Sequence, residues 1–174
     1  EFESKGGIKE LIKLEADLLE HMGFDKPVEV NYDEVCQEYG NVEILEAEHE
    51  TRMWEEKGSV ISLQNFPYRT NPFWNMKHKE NGIYNKVDVI LYGQETIGSA
   101  ERSCDVEEMR KNFYTIEDGK YSAKLFELFG KERVEKELEE FLKHDFFPRF
   151  GAGIGMTRMA RAMELQKQSK LELV

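Results

Sequence analysis

Between Ile8 and Met22, apolar side chains recur at steps of three and four (Ile8, Leu11, Ile12, Leu14, Leu18, Leu19, Met22), with Lys, Glu and Asp between them. That period predicts an amphipathic helix with one buried stripe, and Gly23 supplies its stop. After Pro27 the triplet Val28-Glu29-Val30 reads as extended, and Asn31 is placed to cap a short helix over 32–39. Residues 43–57 are rich in Glu and read as an exposed, helix-prone segment closed by Gly58. The pattern then changes to period two. Ser59 to Leu63 predicts a short β-branched strand, Phe73 to Lys77 alternates, and Lys86 to Ile97 reads as two strands bent into a hairpin at Gly93. Asn81-Gly82 marks a turn between the second and third of these strands. Connections this tight predict antiparallel pairing, since parallel neighbours need a crossover of a dozen or more residues. Helices return over 106–113, capped by Asp105, then over 122–129 and 132–143, the last with Val134, Leu138, Phe141 and Leu142 on one stripe. Past Pro148, the run Gly151-Ala152-Gly153-Ile154-Gly155 leads into a helix over 156–168 with Met156, Met159, Ala160 and Met163 turned inward. The expected class is α+β: an antiparallel β-sheet flanked by helices. Its organisation is a helical segment over 1–58, strands over 59–102, a helical insertion over 103–147 and a glycine-rich strand and helix over 148–174.

The chain has 174 residues, 40% of them apolar, enough to close the core of one domain or of part of a larger one. Twenty-four Lys plus Arg against 35 Asp plus Glu leave a net charge of −11, so the average surface repels polyanions. Cys36 and Cys104 form no Cys-x-x-Cys pair, which excludes a disulfide scaffold or zinc spacing and fits a reducing, cytoplasmic compartment. No apolar run approaches the roughly 18 to 20 residues a membrane span needs, so no membrane partner is expected. The opening Glu1-Phe2-Glu3 shows neither initiator Met nor signal pattern, and the expectation is a chain that starts inside a longer core.

Three alternating glycines cost chain entropy, roughly 0.5 to 1 kcal/mol each against Ala, so something must require bare backbone there. Close approach of a flat or phosphorylated ligand would explain Gly151, Gly153 and Gly155, and Arg158 in the next helical turn could meet a phosphate. A strand packed tightly under a helix would explain them equally. The spacing is not a dinucleotide fingerprint, and no Gly-Lys-Ser/Thr closes a phosphate loop. In the hairpin, Asp88 and Glu95 can lie on neighbouring positions and attract magnesium, or simply face water. Gly98-Ser99-Ala100 would leave a hollow, with Glu101 and Arg102 at its rim for a zwitterionic or carboxylate-bearing ligand. His21, His49, His78 and His144 show no ligand spacing, and neither a Gly-x-Ser-x-Gly elbow nor a cysteine-nucleophile signature is present.

The order Phe66-Pro67, Pro72-Phe73-Trp74, Asp88 with Gly93-x-Glu95, Arg102 and Gly151-x-Gly153-x-Gly155-x-x-Arg158 resembles the C-terminal half of a class II aminoacyl-tRNA synthetase core, aspartyl/asparaginyl branch. The last element is similar to that class's third signature motif. The resemblance implies a sheet cradling ATP and formation of an aminoacyl-adenylate with release of pyrophosphate. It implies catalytic roles for Arg158, on adenine or the γ-phosphate, and for Glu95, which with Asp88 would hold Mg2+ and ATP. Gly153, Gly155, Met156 and Thr157 would lie beneath the nucleotide, and Gly98, Glu101 and Arg102 around the amino acid. Gly98 stands where aspartyl enzymes usually carry Ser, which tilts the implied substrate toward asparagine. Thr157 replaces a common acid. Glu101 replaces the usual Gln and is similar to archaeal asparagine synthetases. The class's first and second motifs are not visible, unless Glu1-Phe2-Glu3 ends the second. The implied function is activation of asparagine or aspartate, with tRNA and a homodimeric partner; the alternatives are a tRNA-independent asparagine synthetase of the same fold and a non-catalytic remnant.

Overall fold

The computed structural model describes residues 1–172; Leu173 and Val174, the end of the expected glycine-rich segment, lie outside them. The elements in chain order are β1 (Phe2–Glu3), α1 (Ile8–His21), β2 (Val28–Asn31), α2 (Tyr32–Glu38), α3 (Ala47–Lys57), β3 (Val60–Pro67), β4 (Ile83–Leu91), β5 (Gln94–Arg102), α4 (Val106–Thr115), α5 (Lys120–Phe129), α6 (Lys131–Leu142), β6 (Arg149–Ile154) and α7 (Met156–Glu172). Local signals set many of these boundaries. The Asn31 side chain accepts the Asp33 N–H at 3.0 Å and Asp105 accepts that of Glu108 at 2.9 Å, so both caps form as expected. Tyr92 and Gly93 both have positive φ, 48° and 74°, the backbone a two-residue hairpin turn requires.

Among the described residues six strands form one sheet in the order β1-β6-β5-β4-β3-β2. The α+β class holds, with one correction to the pairing: β2 lies parallel to β3, while the other neighbours are antiparallel. The chain between those two strands contains α2 and α3, a crossover long enough to return in the same direction. The segment 1–58 therefore supplies two strands as well as helices.

On one face, here called the front, α2 and α3 bury Ile61, Leu63 and Ile90 beneath Tyr32, Val35 and Met53. Met53 is fully buried, so the Glu-rich stretch is not the wholly exposed segment its composition suggested. On the back, α1 and α7 bury Val60, Val89, Leu91 and Ile97 with Leu19, Met159 and Ala162. Of the expected inward face of α7 only Met159 is buried; Met156 is 72% exposed, and Ala160 and Met163 also face solvent. Gln166 turns inward instead, because its carboxamide accepts from the Tyr92 hydroxyl at 2.7 Å and donates to the Gly23 carbonyl at 2.7 Å.

Phe73 to Lys77 is not a strand. Its alternation comes from anchoring: Trp74 packs edge-on against Phe113 and Phe141, each at 5.6 Å between ring centroids, in a third core with α4 and α6. The segment touches the sheet only at isolated points, such as Lys77 N–H to Glu101 C=O at 2.8 Å. No helix among the described residues is long and apolar enough to cross a membrane.

Candidate functional site

β4, β5 and β6 run side by side, with Asp88 opposite Gly98 opposite Gly153, Lys86 opposite Ala100 opposite Gly151, and Arg102 opposite Arg149. Because strand side chains alternate, these residues share the front face, and four of them are Gly or Ala. The result is a trough floored by backbone. A β-carbon added to Gly153 would meet nothing within 4 Å, so this floor is open; one on Gly98 would come 3.0 Å from Glu95 Oε1 and 3.6 Å from Asp88 Oδ1. Gly151 lies instead under Arg102 and Glu1, where a β-carbon would come within 2.8 Å of Arg102 Nη2.

The register owes its form to one extra residue. Val89 pairs with Ile97 but Ile90 pairs with Glu95, which leaves Thr96 as a bulge on β5. The Thr96 carbonyl accepts the Gly155 N–H at 2.8 Å, which ties the bulge to the start of α7.

At the hairpin end of the trough stand Asp88 and Glu95. Asp88 is buried, pairs through one oxygen with Lys86, and leaves Oδ1 without a hydrogen bond among the described residues. Burial, with the Glu95 charge behind it and Lys86 opposing, pushes its carboxyl up to about 6. Arg158, exposed in the first turn of α7, donates to the Glu95 carbonyl at 2.6 Å. Met156 and Thr157 are exposed beside it, at the helix end whose N–H groups have no partner within the helix. At the other end, Arg102 contacts Glu1 at 3.1 Å and Asn75 at 3.5 Å. Magnesium, a hard cation that keeps several waters and accepts one or two carboxylates, suits an orphaned Asp88 oxygen beside Glu95. Among the described residues no cluster of three or more metal-ligating side chains exists, so phosphate oxygens would have to complete such a site.

The structure thus brings together Asp88, Glu95, Gly98, Arg102, Gly153, Gly155 and Arg158. It does not add Glu101 to them. Glu101 faces the back, 4% exposed, and accepts from Lys77 Nζ at 2.7 Å and Asn85 Nδ2 at 2.6 Å. Two neighbours were missed. Lys86 was legible from its two-residue spacing to Asp88, whereas Glu50, whose carboxylate accepts the Glu95 N–H at 2.7 Å, sits in a Glu-rich run with no distinguishing signal.

Residues 6–170 match the family described as tRNA synthetases class II (D, K and N). The chain belongs to that family. A probable cytoplasmic aspartate-tRNA ligase of Encephalitozoon cuniculi is 30% identical over 103 residues, 59% of this chain and 19% of that protein. In fold, the chain is similar to the aspartyl-tRNA synthetase of Entamoeba histolytica, with TM-score 0.68 and 18% identity over 93% of this chain and 39% of that one. It is also similar to the asparaginyl-tRNA synthetase of Pyrococcus horikoshii complexed with asparaginyl-adenylate, with TM-score 0.69 and 20% identity over 94% of this chain and 43% of that one. The chain therefore spans about a fifth of the curated relative and about two fifths of these solved ones.

Proposed function

We propose that this class II synthetase-family chain binds ATP and asparagine or aspartate and supports formation of the aminoacyl-adenylate, the first half of tRNA charging. The observation that carries this reading is the trough itself: two carboxylates and Arg158 at one end, Arg102 at the other, and between them a floor without side chains, open above Gly153 and overhung at Gly98 by the Glu95 and Asp88 oxygens.

In this reading the purine lies along Gly153 and Gly155, above the backbone of Met156 and Thr157, and Arg158 leaves the Glu95 carbonyl to meet adenine or the γ-phosphate. Mg2+, when held by Glu95 and Asp88, neutralises phosphate charge. Gly98 adds no side chain of its own beside the amino acid, and Arg102 receives the end of the amino-acid side chain. Held in line, the amino-acid carboxylate attacks the α-phosphorus, a P–O bond forms, and pyrophosphate leaves with the electrons of the bond that breaks. Positioning and charge neutralisation supply most of the rate.

Gly98 supports asparagine as substrate. A guanidinium at Arg102 favours an anionic side chain and so supports aspartate, in keeping with the aspartate ligase among the relatives. Glu101, on which the tRNA-independent asparagine synthetase reading leans, faces the other side of the sheet. A tRNA acceptor, a homodimeric partner and a cytoplasmic setting belong to the same proposal. The test is ATP–pyrophosphate exchange by the full chain with asparagine and with aspartate. Exchange stimulated by one of them and abolished in Arg158→Ala and Glu95→Ala is expected; exchange surviving both substitutions overturns the site. Asparagine made from aspartate and ammonia without tRNA would replace this reading with the synthetase one.

A further inference from the structure

We propose that Glu50 is a positioning residue for the cation and nucleotide end of the trough: its carboxylate fixes the backbone of Glu95, and so the direction in which the Glu95 side chain presents its oxygens. The inference rests on the ATP reading above. Glu50 lies half-buried on α3, and its Oε2 accepts the Glu95 N–H at 2.7 Å. The carbonyl of the same residue accepts from Arg158 at 2.6 Å. Glu95 is thus held on both sides, by α3 and by α7, directly beside the bulge at Thr96 where ladder pairing is interrupted, and the α3 bond is the one that stays when Arg158 turns to the nucleotide.

The docking of α3 here is close. A β-carbon on Gly93 would come within 3.1 Å of Thr51 Cα and of the Trp54 ring, so the helix backbone lies against the hairpin turn one residue from Glu50. Glu50 also feels the charges of Glu95, Arg158 and Lys86, and its own charge is felt at Asp88. Burial pushes its carboxyl up, the Glu95 charge adds to the rise and Arg158 and Lys86 oppose it, so a half-buried carboxylate here is costly unless it makes a bond that something requires. One of its oxygens is spent on an amide, and among the described residues no group of three acids is arranged around a metal. Its action therefore passes through Glu95, as an outer partner holding a ligand in place.

The experiment is calorimetric titration of ATP with excess Mg2+ into the full chain and its Glu50→Gln, Glu50→Asp and Glu50→Ala variants, with Glu55→Ala as a control on the exposed side of α3. Hydrogen exchange at the Glu95 amide and the melting temperature are followed in parallel. Gln keeps a carbonyl oxygen within reach of the amide and should bind within about three-fold of wild type; Ala, and Asp with its shorter reach, should bind roughly ten-fold to a hundred-fold more weakly, with faster Glu95 exchange. Should Ala fail to fold, Asp carries the comparison. Ala and Asp binding like wild type, or Gln falling as far as Ala, overturns the inference alone. A wild-type chain that binds no ATP overturns the proposed function and takes the inference with it.

Discussion

Glu15 on α1 is a buried acid in the back layer. It is 5% exposed, and neither carboxylate oxygen has a hydrogen-bond partner among the described residues. Ser99 lies near, but its hydroxyl donates to the Val87 carbonyl at 3.2 Å. Burial, with Asp88 across the sheet adding repulsion, pushes the carboxyl from 4.5 up to about 7. Near pH 4 the folded and unfolded chains both largely hold this proton, so its ionisation adds little to the stability difference, whatever the neutral carboxyl's burial costs. Between 4.5 and 7 the unfolded chain releases a proton that the folded chain keeps, so stability falls as pH rises; above 7 the loss is complete. At about 1.4 kcal/mol per pH unit, the loss by pH 8 is about 3 kcal/mol. Glu15→Gln removes the titration while keeping the shape, and its buried amide adds an offset that does not change with pH. Urea unfolding of both proteins from pH 4 to 8.5 should therefore give curves that diverge by about 3 kcal/mol, the variant gaining as pH rises. Asp88 titrates in an overlapping window, which is why the difference between the two proteins is the quantity to read. Parallel curves would refute the argument.

Gly93→Ala should cost roughly 2 to 4 kcal/mol, because φ is +74° and the new methyl meets the α3 backbone. Gly40→Ala, with φ +99° and open space around it, should cost less than half of that by the same denaturation assay. Gly153→Val has room for its side chain and should leave the melting temperature unchanged, yet cover the trough floor and weaken ATP binding by more than about ten-fold, or 1.4 kcal/mol, in a calorimetric titration. Undiminished affinity would remove the purine from that floor.

Helices α1, α2 and α4 were legible because their causes are local: a 3.6 period, a cap at Asn31 or Asp105, a stop at Gly23. The hairpin at Gly93 was legible for the same reason. What escaped depended on partners distant in the chain. Nothing within Val28-Glu29-Val30 says that it will lie parallel to Ile61-Ser62-Leu63. The inward face of α7 could not be chosen by hydropathy, since Gln166 is drawn in by Tyr92, 74 positions away. Phe73-Trp74 alternates as a strand would, but its partners are the rings of α4 and α6.

The site divides along the same line, and the bulge at Thr96 decides the division. In an unbroken hairpin turning at Tyr92 and Gly93, Ile90 would face Glu95 and Asp88 would face Ile97. Asp88 and Glu95 therefore share a face on hairpin arithmetic alone, and their pairing was readable. Along β5 beyond Thr96 the same counting gives the wrong face, and Gly98 and Arg102 were named through the resemblance to the family instead. Strict alternation would set Ile97 over Asp88, fill the hollow with a branched side chain, and turn Glu101 rather than Arg102 toward the trough. One extra residue slips the register, so that Gly98 opposes Asp88, Arg102 enters the site and Glu101 goes to the back to join Lys77 and Asn85. The slip is held by the Gly155 N–H, donated to the bulged carbonyl from the junction of β6 and α7. The glycine run thus has two uses: its middle member leaves the floor bare, and its last fixes the register that determines which side chains look down on that floor.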